Sequence, residues 1–324
     1  MAVASEAAAP ARARVLAAFA AVYVIWGSTY LAIRFAIETL PPFLMAGVRF
    51  LVAGALLYGW VRLRGAPRPA RAEWKAAAVI GALLLLGGNG AVVWAEQRIS
   101  SGVAALLVAV VPFWMVLLEW LRPGGVRPTL GVIGGLAVGF AGLAMLIGPG
   151  GSGGGAVDLL GAGALLFGSL TWAVGSIYSR TAALPKAPLL GTAMEMLVGG
   201  ALLVLAGALV GEGSRVALEA VTLRSVLALL YLIVFGSLIG YSAYVWLLKV
   251  STPAKASTYA YVNPVVAVFL GWALAGEPLT LRVLVAAAVI IGSVVVITTA
   301  RAGRPEPARR RSRKARAAPG EQAA

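Results

Sequence analysis

Leu130-Gly131-Val132-Ile133-Gly134-Gly135-Leu136-Ala137-Val138-Gly139-Phe140-Ala141-Gly142-Leu143-Ala144-Met145-Leu146-Ile147 runs without a single charged or strongly polar side chain. Gly148-Pro149-Gly150-Gly151-Ser152-Gly153-Gly154-Gly155 follows at once. The first stretch has the length and composition of a helix crossing a ~30 Å hydrocarbon layer. The second is an uncharged, flexible linker near the middle of the chain. Composition extends the reading to the whole protein. Of 324 residues, 60% are hydrophobic and only 12% are charged, against about 25% charged in a soluble domain. Such a chain lacks the polar groups to cover a water-facing surface. It also has no Cys and no His, which removes disulfides, thiolate chemistry, imidazole proton shuttles and Ser-His-Asp triads.

Working outward from 129–147, nine further apolar stretches of similar length emerge. They cover roughly 15–35, 42–62, 74–95, 100–121, 158–179, 188–210, 224–248, 254–275 and 280–299. None alternates with the two-residue period of a barrel strand. The expected fold class is all-α integral membrane, with ten transmembrane helices. The first stretch, preceded by Arg12 and Arg14, has the flanks of a signal peptide. It continues into Trp26-Gly27-Ser28-Thr29-Tyr30 without a cleavage site, so it is read as retained. With both termini inside, 21 of the 27 Lys and Arg fall in cytoplasmic segments and 4 in outer ones. That asymmetry supports an even number of spans and cytoplasmic ends.

The linker invites a search for duplication. Leu51-Val52-Ala53-Gly54-Ala55-Leu56-Leu57 matches Leu197-Val198-Gly199-Gly200-Ala201-Leu202-Leu203 at six of seven positions. At a constant offset of 152, Trp94, Ala104, Pro112 and Trp120 meet Trp246, Ala256, Pro264 and Trp272. Five spans per half is odd, so the second half is expected to be inverted, a plan used by secondary transporters. The domains expected are a cytoplasmic segment 1–14, a first repeat 15–147, a linker 148–157, a second repeat 158–299 and a basic tail 300–324.

Three segments carry a family resemblance. They are Trp26-Gly27-Ser28-Thr29-Tyr30; Pro41-Pro42 with Met45-Ala46-Gly47-Val48-Arg49-Phe50; and Ser257-Thr258-Tyr259-Ala260-Tyr261-Val262-Asn263-Pro264-Val265-Val266 followed by Gly276-Glu277-Pro278-Leu279-Thr280. They resemble the EamA family of the drug/metabolite transporter superfamily, in particular its YedA-type exporters. The likeness runs from about residue 15 to 300. It implies ten helices in two inverted five-helix repeats in the bacterial inner membrane, and export of small metabolites from the cytoplasm. It transfers a plan and no universal substrate-binding residue. The acid of Gly276-Glu277-Pro278 has no counterpart in Arg122-Pro123-Gly124-Gly125 of the first half.

Ionisable residues at membrane depth are costly and so are candidates for the pathway. Arg49 and Glu195 each lie seven residues beyond a proline, Pro42 and Pro188, that starts a span. Both are therefore ~10 Å inside the membrane, at different heights. They either line a central cavity or form structural partners of neighbouring polar groups; a direct salt bridge is not required. Arg34, Glu38, Glu96 and Arg98 are expected at the outer interface, snorkelling and pairing there, or forming an extracellular gate or an anion-attracting vestibule. Asn89 and Asn263 either join helices by hydrogen bonds or face the pathway. Pro112 and Pro264 are matched helix-kink candidates. The repeated Trp…Ser…Tyr element supplies Trp26, Ser28, Tyr30, Trp172, Ser176 and Tyr178; Tyr241, Tyr244, Tyr259 and Tyr261 are further pathway candidates. An apolar cavity with tyrosine hydroxyls and few charges suits amphipathic metabolites or amino-acid derivatives, although deep aromatics also serve as packing. Gly131, Gly135 and Gly139 form small-xxx-small steps, as do Gly236 with Gly240 and Gly207 with Gly211. These serve packing within one bundle, or between protomers of a homodimer.

No phosphate-binding loop is present, so ATP is not expected as the direct energy source. No cofactor or metal site is expected, and the chain does not read as an enzyme. The expected partners are a small-molecule substrate, the lipid bilayer, and anionic lipid at the basic tail; nucleic acid is not one. The function expected is a secondary transporter exporting small metabolites, amino-acid-like compounds or drugs by alternating access. The alternatives are a channel, or a membrane enzyme acting on lipid-linked substrates.

Overall fold

A computed structural model describes residues 12–122, 127–147, 157–250 and 259–302. The N-terminal segment before Arg12, most of the Gly-rich linker, Lys255, the expected start of the ninth span and most of the basic tail lie outside them. So does the side chain of Tyr261. Among the described residues there are helices and no strands. In chain order they are α1 Arg12–Ala36, α2 Pro42–Leu63, α3 Arg71–Ala95, α4 Ser101–Leu121, α5 Leu130–Ile147, α6 Leu159–Ser179 and α7 Pro188–Leu209. Then come α8, which runs from Leu223–Tyr231 through Leu232–Ile239 and Gly240–Val250, α9 Tyr259–Ala275 and α10 Leu281–Ala302. Among the described residues, eight helices are long and apolar enough to cross a membrane. Val262–Ala275 and Leu281–Ile297 form shorter apolar stretches.

Local signals set the boundaries. Pro42 and Pro188 open α2 and α7, where a missing N–H costs nothing. Gly65 and Gly211, at φ of 85° and 76°, end the same two helices in the left-handed conformation. Asp158 Oδ1 accepts from the Gly161 amide at 2.6 Å and so caps α6. Two helices take their caps from distant loops. The Glu212 carboxylate accepts from the amides of Phe43 and Leu44 at the start of α2. The Glu277 carboxylate accepts from the amides of Ser101 and Gly102 at the start of α4, at 2.7 and 3.0 Å. Glu277 therefore ties the α9–α10 loop to the first half.

Two helices widen midway. Gly81–Asn89 in α3 and Leu232–Ile239 in α8 are π-helical, and they coincide almost residue for residue at the 152-residue register. The two expected kinks differ. Pro112 follows a break at Ala109-Val110 that divides α4 into Ser101–Val108 and Val111–Leu121. Pro264 is carried inside a continuous α9. The Phe113 amide turns back to the Val110 carbonyl at 2.8 Å, so the break in α4 closes as a tight turn.

Helix pairs cross between the halves. α2 packs on α7 and α5 on α10; α1 packs on α8 and α9, and α6 on α3 and α4. Glycine permits the α2–α7 approach. A Cβ at Gly47 would lie 2.6 Å from Val204 Cγ2, and one at Gly200 would lie 2.8 Å from the Leu51 nitrogen. Of the expected small-residue steps, Gly135 faces α10 through Ile297 and Gly139 faces Phe113 of α4 and Ser293 of α10, while a Cβ at Gly131 would meet only Thr129 of its own segment, at 3.9 Å. Gly236 and Gly240 face α2 and α1, and Gly207 packs on Leu44. These faces serve the bundle itself. Gly200→Leu should therefore lower folded, monodisperse yield in detergent severalfold, since overpacking costs about 1–3 kcal/mol or more. Gly163→Leu, where nothing lies within 4 Å, should leave the yield unchanged.

Large apolar side chains such as Leu56, Phe167 and Phe269 remain exposed on the bundle's outside, as a lipid-facing surface requires. Trp60, Trp120 and Trp272, each near a helix end, are half-exposed, in keeping with interfacial belts.

Candidate functional site

Arg49 projects from α2 into the protein and is buried. Its Nε donates to Ser237 Oγ at 2.9 Å, on the π-helical stretch of α8. Its guanidinium lies 4.6 Å from the Phe50 ring centre. Gly236 leaves room for it, since a Cβ there would meet Arg49 Nη2 at 3.1 Å. The wide turn thus places a hydroxyl and a missing side chain opposite the buried cation.

Glu195 projects from α7 and is partly buried. Its carboxylate has no hydrogen-bond or ion-pair partner among the described residues. The helix at this point is pressed on α3, because a Cβ at Gly81 would lie 2.8 Å from the Glu195 carbonyl oxygen. Arg49 and Glu195 form no salt bridge with each other. Tyr241 on α8 lies within electrostatic reach of both.

Tyr241 also belongs to a ring cluster around Trp26. The Trp26 ring centre lies 5.3 Å from that of Tyr241, 5.0 Å from Tyr244 and 5.2 Å from Tyr259. Tyr244 and Tyr259 also meet edge to face at 5.5 Å and hydrogen-bond through their side chains. The indole Nε1 donates to the Gly236 carbonyl at 3.2 Å, and Ser28 Oγ lies 2.6 Å from the Tyr231 hydroxyl. Gly240 makes the seat possible, because a Cβ there would be 2.5 Å from Trp26 Nε1. Gly240→Val should displace the indole and abolish transport, while circular dichroism reports unchanged helix content.

The second Trp…Ser…Tyr element is seated similarly but surrounded differently. Trp172 lies over Gly88, where a Cβ would be 2.9 Å from its ring. Gly88 and Gly240 stand 152 positions apart, so the two indoles occupy matched places. At the same offset, however, Tyr241, Tyr244 and Tyr259 are replaced by Asn89, Val92 and Leu107. Ser176 Oγ donates to the Trp172 carbonyl one turn back, and Tyr178 is exposed. The duplicated motif thus yields one aromatic cage. Asn263 is buried, and with its amide nitrogen turned inward it donates to the carbonyls of Tyr23 and Tyr259. It joins α9 to α1. Asn89 ends the π-helical stretch of α3, partly buried.

Of the charges expected to pair, Arg98 pairs with Asp158 and Glu38 with Arg224. Arg34 instead donates to the backbone carbonyl of Glu96 at 2.6 Å. Glu96 does not snorkel and is completely buried. A separate cavity of about 510 Å³ opens between the start of α2 and the ends of α3 and α7, lined by Phe43, Trp94, Gln97, Arg98, Val210, Glu212 and Arg215. No residue of the Trp26 cage lines it. Ser237, Tyr231 and the capping roles of Glu212 and Glu277 were not singled out by the sequence. A polar residue beside a small-xxx-small glycine, as Ser237 stands beside Gly236, is the weak signal that could have found the first. Among the described residues, no cluster of three or more acidic side chains is placed to hold a metal ion.

This architecture agrees with known proteins. The EamA-like transporter family matches residues 13–148 and again 159–299. The chain belongs to the EamA-like transporter family. It is thus a multi-pass membrane transporter, matched twice along its length. It is 44% identical over 279 residues to the "Uncharacterized inner membrane transporter YedA" of Escherichia coli K12, covering 86% of this chain and 88% of that one. It is 26% identical to the "WAT1-related protein At3g02690, chloroplastic" of Arabidopsis thaliana, over 85% of this chain and 67% of the plant protein. It is 25% identical to the "Uncharacterized transporter YvbV" of Bacillus subtilis, over 85% and 88%. One solved crystal structure shares the fold with a TM-score of 0.63 at 23% identity, covering 89% of this chain and 99% of that one.

Proposed function

We propose that this EamA-family protein is a secondary transporter of the bacterial inner membrane that exports small amphipathic, amino-acid-like metabolites or drugs. Ten helices in two inverted repeats, with both termini cytoplasmic, would rock around a central site. The crossed packing of α1 on α8 and α9, and of α6 on α3 and α4, supports that plan. So do the matched π-helical stretches and the 21-to-4 charge asymmetry.

The observation that carries the substrate class is the placement of Tyr241 between a buried Arg49, an unpaired Glu195 and the Trp26 cage. Arg49 offers a fork of donors for a carboxylate. Glu195 and the ring faces attract an amine. The cage walls take the apolar part of a ligand. Glu195 is also the proposed carrier of a coupling proton, since its carboxylate has no hydrogen-bond or ion-pair partner among the described residues.

A toxicity and efflux screen of amino acids, their analogues, nucleosides and cationic drugs in cells expressing the protein tests the substrate class. Efflux confined to compounds bearing both an amine and a carboxylate is the expected outcome. Efflux of carboxylate-free cations alone contradicts the role given to Arg49. For coupling, Glu195→Gln in proteoliposomes with an imposed pH gradient should lose gradient-driven flux; undiminished flux would remove Glu195 from the proton path.

A further inference from the structure

Glu96 follows the last residue of α3. Its side chain is fully buried, and neither carboxylate oxygen has a hydrogen-bond partner. The Ser101 hydroxyl is also buried and unpartnered. Polar groups from each neighbouring segment face this place. Tyr30 and Arg34 come from α1, Ser101 from the start of α4, and Glu277 from the α9–α10 loop. None donates to the Glu96 carboxyl. Arg34 bonds the backbone carbonyl of Glu96, and Glu277 is occupied by the Ser101 and Gly102 amides. Arg98, two residues on, turns away towards Asp158 and the Trp94 ring.

An ionised carboxylate in a dry site costs several kcal/mol unless donors replace its water. Here it would meet a second carboxylate instead. Burial and Glu277 push the Glu96 carboxyl well above the usual carboxylate range, with Arg34 opposing in part. The neutral acid is the form that fits.

We propose that Glu96 is a proton-binding site that latches the outer end of the bundle. The proton stays on its carboxyl while α1, α3, α4 and the α9–α10 loop are closed around it. It leaves to water when these segments part, and the carboxylate left behind opposes reclosure. A proton suits the place better than a metal cation. A hard cation takes about six or more oxygens, and the free ones here are the Glu96 carboxylate and the Ser101 hydroxyl, with Arg34 repelling it. The closed form binds one proton more than the open form, so acid favours closure and rising pH favours opening. The site deepens the alternating-access reading and rests on it for the word opening.

Two measurements test this. Infrared spectra of the purified protein at neutral pH should show the C=O stretch of a neutral carboxylic acid. Glu96→Gln should lower its intensity by one carboxyl, and Glu73→Gln should leave it unchanged. Absence of the band, or an unchanged band in Glu96→Gln, overturns the site. The chain has no cysteine, so Val103→Cys, buried near the start of α4, is its only thiol. Labelling by an impermeant maleimide from the outside is measured across pH, relative to an exposed Ser214→Cys control. The opening constant should rise by up to about tenfold per pH unit, the limit for one proton. Added Glu96→Gln should hold labelling low and flat. The same pH profile with and without Glu96→Gln overturns the latch. An intact infrared band with no substrate counterflow would instead sink the carrier reading and leave the proton site standing.

Discussion

Arg49→Lys should lower transport about 100-fold while leaving a folded bundle, because a small displacement at a binding site can cost that much. The substitution keeps the charge. It removes the planar fork, the Nε–H that reaches Ser237 at 2.9 Å, and the flat face above Phe50. Lysine is a compact, strongly hydrated point charge and cannot replace either contact. Losing one charge-assisted hydrogen bond should destabilise the protein by about 1.5–3 kcal/mol, well short of unfolding a large apolar bundle. Ser237→Ala separates the two effects. It removes the hydroxyl that orients Arg49 but leaves the guanidinium, so it should raise the half-saturating substrate concentration more than it lowers the maximal rate. Radiolabelled flux in proteoliposomes, with thermal unfolding as the folding control, checks both variants. Wild-type flux in Arg49→Lys would show that the guanidinium geometry is structural only.

The two matched tryptophans should behave differently. Trp26→Ala removes three ring pairs at once, with Tyr241, Tyr244 and Tyr259. Each pair contributes about 1 kcal/mol beyond simple burial, so the cage should loosen and substrate affinity fall by at least about tenfold. Trp172 holds the matched place over Gly88, where the 152-residue register carries Asn89, Val92 and Leu107 instead of the three tyrosines; Trp172→Ala removes it. The substitution should cost stability, about 3–5 kcal/mol for a large aromatic, and leave the half-saturating concentration unchanged. Equal losses of affinity in the two variants would mean that both halves bind substrate.

These predictions show which parts of the molecule the sequence made legible. The helices were legible because a bilayer demands long apolar runs, and runs such as 130–147 admit one reading. Some glycine faces were legible as well: Gly135 with Gly139, and Gly236 with Gly240, stand in small-xxx-small steps and lie close against neighbouring helices. The Trp26 cage was half legible. Its members could be named as deep aromatics, but Tyr241 and Tyr244 meet Trp26 only because α8 crosses α1. The register of crossing helices is set by packing that spacing along one chain does not reveal. Ser237 was missed because serine is ordinary in membrane helices, so its place beside Gly236 is a weak signal, and only the widened turn aims it at Arg49. Glu96 was misread for a related reason. Its place at a helix end suggests an interfacial residue, whereas Glu277, arriving from nearly two hundred positions away to cap α4, covers that end and excludes water. Long-range capping of this kind leaves no local signature.

Counterflow tests the central claim most directly. Purified protein in liposomes is loaded with unlabelled substrate from the efflux screen, and entry of trace label from the outside is followed. A carrier that alternates around the Arg49–Tyr241–Glu195 site must show trans-acceleration: label enters faster against unlabelled substrate than into empty liposomes, overshoots equilibrium, and does neither in Arg49→Lys. Label entry at the same rate whatever the liposomes contain would describe a channel and contradict the account.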